Sequence, residues 1–150
     1  MRTLLTLSAL AVTGALFAQV ANYESVASTK QIMLDMVIPS SNALFDAGSK
    51  DKPSDQDWAD FRKQALVLAE SGNLMMVPGR IATGQTKSKT KAKAGAANPA
   101  DWNAAAKLMR DAGKSAIKAI DKKDLDALGG DVAGMILDSC SGCHDKYMIK

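Results

Sequence analysis

Residues 124–147 read DLDALGGDVAGMILDSCSGCHDKY, and this stretch decides the fold. Leu125, Leu128, Val132, Ile136, Cys140, Cys143 and Tyr147 recur at steps of three and four, so they share one face of a helix that opens near Asp124. Gly129-Gly130 weaken that helix early and offer room for close packing by a neighbour. At its far end the same face carries Cys140-Ser141-Gly142-Cys143-His144.

Two cysteines three apart with a histidine directly after the second form the attachment pattern of a c-type haem. The i, i+3 thiols project from one side of a helix, and the next residue, turned by about 100°, brings an imidazole to the iron. Other readings of these residues are weaker. Structural zinc takes four ligands, and this chain has two Cys and one His in all. A thioredoxin-type Cys-x-x-Cys follows a strand and opens a helix, whereas this one closes a helical pattern. A plain disulfide leaves His144 without a role.

Outward from this segment the sequence reads as helix throughout, rich in Ala, Leu, Met and Lys and without the alternation that marks strands. A first helix is expected from Asn22 to Ala47, ending at Gly48, with Met33, Met36, Val37 and Leu44 inward and a bend at Pro39. A second opens at Ser54 and Asp57, a capping-box pattern after Pro53, and fades near Pro78-Gly79. It places Trp58, Phe61, Ala65, Leu68 and Gly72 on one stripe. The third is expected to use Asn98 as cap and Pro99 as its first residue, with Trp102, Ala106, Met109, Gly113, Ala116 and Ile120 inward. The expected fold is thus all-α, an antiparallel four-helix bundle with one covalent haem. That topology brings the start of helix one, Leu74-Met75-Met76, Trp102 and the cysteine motif to the same end.

At the N-terminus, Arg2 precedes an apolar run from Leu4 to Phe17 and small residues at Ala18 and Ala21. Residues 1–18 read as a signal peptide cleaved after Ala18 or Ala21, leaving 19–150 as one domain. The run would be about 21 Å long as a helix, too short for the ~30 Å hydrocarbon core, which favours cleavage over the rival reading of an uncleaved anchor. The expected mature protein is periplasmic, has no membrane span, and falls from a formal charge of +3 to +2 with loss of Arg2 (3 − 1 = 2). So small a charge, without aromatics interleaved among the basic residues, excludes a nucleic-acid partner. Lys87, Lys89, Lys91 and Lys93 alternate in the connection between helices two and three. They read either as a solvated loop or as a docking surface for an acidic redox partner. A homodimer is a further expected association.

Taken together, these residues resemble the class II c-type cytochromes, the cytochrome c-prime group and its low-spin six-coordinate relatives, which are four-helix bundles. The resemblance spans the mature chain. It covers Lys30-Gln31-Ile32-Met33, Pro39, Trp58, Gly72-Asn73-Leu74, Pro78-Gly79-Arg80, Trp102 and the attachment motif with Tyr147. It implies haem attachment at Cys140 and Cys143, axial ligation by His144, and further haem contacts from Arg80 and Tyr147. Met148 departs from it, standing where many members place a basic residue; Lys146 or Arg80 are the substitutes for pairing a propionate.

His144 is the only histidine, so the sixth iron position falls to a methionine, to a lysine or to no side chain. Met33 and Met36 both lie at the right height on an antiparallel first helix, and the resemblance favours Met33. Methionine ligation implies an electron carrier; an open position implies a protein that binds NO or CO. No His–carboxylate pair supports an enzyme.

Overall fold

Three of the four helices begin where a short polar side chain satisfies one of the first free N–H groups. In the computed structural model, which describes residues 25–80 and 98–147, Ser28 and Gln31 form a reciprocal capping box. The Gln31 N–H donates to Ser28 Oγ at 3.2 Å and the Ser28 N–H to Gln31 Oε1 at 2.9 Å. Helix α1 therefore starts at Thr29 rather than at Asn22, which lies outside the described residues. It continues without a break as Thr29–Ile32, Met33–Val37 and Ile38–Gly48, the middle part being a π-helical turn. Pro39 has no N–H for the carbonyl four residues back, and the helix absorbs that loss in the wider turn just before it.

Helix α2, Asp55–Met75, opens with the expected Ser54/Asp57 box. It ends in the turn Val77-Pro78-Gly79-Arg80, where Gly79 takes the left-handed φ of 77° that glycine tolerates. Helix α3 is Ala100–Asp121 with Pro99 in the cap position, which corrects the expected cap at Asn98. The Asn98 amide points elsewhere: its NH₂ donates to the Val77 carbonyl at 2.9 Å, pinning the turn after α2. Helix α4 is capped by Asp124, which accepts from the Ala127 N–H at 2.9 Å. It runs as Leu125–Ala127, Leu128–Val132 and Ala133–Tyr147, again with a π turn in its middle part.

The four helices pack as an all-helical bundle, with no strand among the described residues. Ion pairs and close approaches give their directions. Gly72 lies against Ala106 and Arg110, and Gly113 against Ala65 and Ala69, so α2 and α3 are antiparallel. Asp101 meets Lys146 and Tyr147 while Ala105 meets Gly142, so α3 and α4 are antiparallel too. Gly48, at the end of α1, abuts Gly129 near the start of α4: a Cβ on Gly48 would lie 2.6 Å from the Gly129 Cα. Gly129 thus supplies the close approach expected of the glycine pair, whereas Gly130 has open space.

Ile32, Leu44, Leu68, Met75, Met109, Leu128 and Ile136 are fully buried between the helices. Each contributes about 1.5–3 kcal/mol relative to exposure. The stripes expected from the sequence form this core, with Phe61, Leu125, Cys140 and Tyr147 half-buried at its margin. No helix among the described residues is long and apolar enough to cross a membrane.

Candidate haem site

The Gly48–Gly129 contact sets the register of α1 against α4. Met33 lies fifteen residues back from Gly48, and His144 fifteen residues on from Gly129, each interval containing π-helical residues. The antiparallel pair therefore brings Met33 and His144 to the same height. The two helices part there and enclose a cavity of about 370 Å³. A site of this size falls within the range of pockets that take small organic ligands and cofactors, roughly 300–1,000 Å³.

Cys140, Cys143 and His144 line the cavity from α4. Cys143 is buried, Cys140 half-buried and His144 exposed at the margin, so the motif presents two sulfurs and an imidazole to one space. Both cysteines are free thiols. Burial raises both, and Cys143 reaches about 11, with smaller contributions from Cys140 and Asp101. They are held neutral at ordinary pH, buried thiols rather than exposed reactive thiolates.

From α1 come Met33, Leu34, Val37 and Ile38, with Thr29 and Lys30 at the end of the bundle and Ser41 further along. Helix α3 adds Trp102 and Met109, and α4 adds Ser139 and Tyr147. The two serines spend their hydroxyl protons on backbone carbonyls, Ser41 on Ile38 at 3.1 Å and Ser139 on Ile136 at 2.7 Å. The wall opposite the motif is thus apolar, with the Met33 thioether as its soft donor. Met36 is half-buried but does not line the cavity.

Tyr147 lines the site edge-on to Trp102, with ring centroids 5.1 Å apart at 84°. Its hydroxyl donates to Asp101 Oδ1 at 2.6 Å; burial first, then this bond, pushes the phenol up to about 12. Trp102 is fixed in turn by its indole N–H, which donates to the Met75 carbonyl at 2.7 Å.

Arg80 does not line the cavity. It is buried, its Nε donates to the Leu74 carbonyl at 3.0 Å and its Nη1 to the Ala27 carbonyl, and burial lowers its pKa. The Thr29 hydroxyl also donates to the Arg80 carbonyl at 3.1 Å. Arg80 therefore joins the end of α2 to the segment leading into α1, one layer behind the cavity. The expected signal peptide, the Lys87–Lys93 loop and Met148 lie outside the described residues.

Sequence reasoning named the motif and Met33 but missed Leu34, Ile38, Ser41 and Ser139 as lining of this cavity and Asp101 as the partner of Tyr147 behind it. The α1–α4 register was a usable signal for the first four, since Ile38 and Ser139 fall at one height when Met33 and His144 do. For Asp101 the only hint was its place directly before Trp102.

The residues fit a haem held through two thioethers: thiols, imidazole and a facing thioether border one apolar space. Among the described residues no group of three His, Cys, Asp or Glu side chains forms a site for a bare metal ion. No protein-family model, curated protein or solved structure matches this chain.

Proposed function

We propose that this protein is a periplasmic c-type cytochrome of the class II type, a single-electron carrier with one haem and His144/Met33 axial ligation. One observation carries the reading: all three chemical residues of the attachment motif line one apolar cavity, and Met33 stands at the height of His144 on the opposite wall. When bound, haem supplies one-electron exchange between ferric and ferrous iron. Cys140 and Cys143 would hold the group covalently, and the His144 imidazole and the Met33 sulfur would ligate its iron. A methionine ligand raises the potential relative to a second histidine. Val37, Trp102 and Met109 are buried around the site and exclude water.

A second reading, a five-coordinate haem protein binding NO or CO, is favoured by the apolar lining around Met33, formed by Leu34, Val37 and Ile38. It needs the Met33 sulfur to stay off the iron.

The experiment expresses the chain in a host that matures c-type cytochromes. Haem that stays with the protein in acid–acetone supports covalent attachment, and extractable haem refutes it. A ferric band near about 695 nm marks methionine ligation. Met33→Ala should abolish it and open the iron to CO, while Met36→Ala should leave the spectrum unchanged. A wild-type protein that is already high-spin and binds CO selects the second reading. Mass spectrometry of the same sample should place the mature N-terminus near Gln19.

A further inference from the structure

His144 stands in the last turn of α4 that the structure describes. This turn is tied down from outside. Asp101, in the first turn of α3, accepts from the Tyr147 hydroxyl through Oδ1 at 2.6 Å and from Lys146 Nζ through Oδ2 at 3.1 Å. Its Oδ1 also accepts from the Trp102 N–H at 3.0 Å, which orients the carboxylate. Tyr147 stands three positions after His144, so the two lie about one helical turn apart on one face and both border the cavity. Asp101 itself is exposed and does not line the cavity, so it touches nothing that the cavity would hold.

We infer that Asp101 is a positioning residue for the axial histidine: through the Tyr147 hydroxyl it locks the last turn of α4 onto α3 and so fixes the direction of the His144 imidazole. The inference rests on the haem reading proposed above. The two carboxylate oxygens have separable roles. Oδ1 holds Tyr147 and the Trp102 N–H, whereas Oδ2 takes only Lys146, an exposed ion pair that contributes little. Asparagine at this position keeps an acceptor for the first pair and loses the second.

The test compares holoprotein of the wild type with Asp101→Ala, Asp101→Asn, Tyr147→Phe and Lys146→Gln. Asp101→Ala and Tyr147→Phe should speed amide exchange over residues 144–147 by on the order of tenfold. Both should also broaden or split the ferric electron-paramagnetic-resonance signal, which reads the orientation of the axial ligands. Asp101→Asn and Lys146→Gln should match the wild type in both measurements. Faster exchange with an unchanged iron signal overturns the inference and leaves Asp101 a purely structural tie. An Asp101→Asn signal as broad as that of Asp101→Ala also overturns it. Haem that leaves the wild-type protein in acid–acetone refutes the proposed function instead, and the exchange measurement, which needs no haem, keeps the two failures apart.

Discussion

Between α2 and α3 the two backbones nearly touch at two glycines, whereas α1 and α4 touch backbone to backbone at Gly48 and Gly129 and border a cavity of about 370 Å³ towards their other ends. Residue size accounts for the first interface. A Cβ on Gly113 would lie 2.5 Å from the Ala69 nitrogen, and one on Gly72 2.6 Å from the Arg110 nitrogen. Ala65, Ala69 and Ala106 border these contacts with the smallest side chains. At the second interface methionine, isoleucine and valine stand where the other has alanine, and each helix carries a π turn. Such π turns occur often at functional sites, because they re-aim side chains without ending the helix.

The largest effect is expected where no side chain can yield. Gly113→Val should cost at least about 3 kcal/mol, because its Cβ meets α2 backbone rather than the flexible end of a side chain. Denaturant unfolding measures this, and a loss under 1 kcal/mol would mean that α2 and α3 separate easily. Met109→Ala sharpens the comparison at the shared border, since Met109 is fully buried yet lines the cavity. It should cost about 2–5 kcal/mol.

A smaller effect follows from pH at the α1–α2 corner. The Lys50 hydrogen bond, followed by those of Ser54, holds Asp57 down at about 2, against an ordinary 3.8. The folded carboxylate then binds fewer protons than the unfolded one, so its contribution is complete above the ordinary value and is lost as pH falls through about 2. Asp57→Asn should lower the urea midpoint at neutral pH, flatten its decline across that window and converge with the wild type near pH 2. The smallest effect belongs to Leu66, an exposed α2 residue 48% accessible and outside both interfaces. Leu66→Ser should shift stability by no more than about 0.5 kcal/mol, which makes it the baseline for the other three.

Much of this architecture is legible in sequence because helical periodicity and capping chemistry are local. Ser54/Asp57 marked the start of α2, and Trp58, Leu68, Trp102 and Met109 marked buried faces. Ser28 and Gln31 carried an equally local signal for α1, the same capping-box spacing. Asn98 was misread for a different reason. A short polar residue before proline looks like a cap, but its amide is captured by the Val77 carbonyl, a partner twenty-one residues away.

By itself the sequence determined that the described residues are helical, where α1 ends and where α2 and α4 begin, and that two thiols and an imidazole leave one helix at the spacing of a haem attachment site. These follow from short-range geometry, in which residues within a turn or two decide one another's positions. Tertiary structure alone decided that Met33 rather than Met36 borders the cavity, that Arg80 turns its guanidinium to carbonyls behind it, and that Asp101 reaches forty-six residues along the chain to Tyr147. Each of these depends on the register between helices. That register was set by glycine contacts and π turns, whose effect appears only once two helices are in contact.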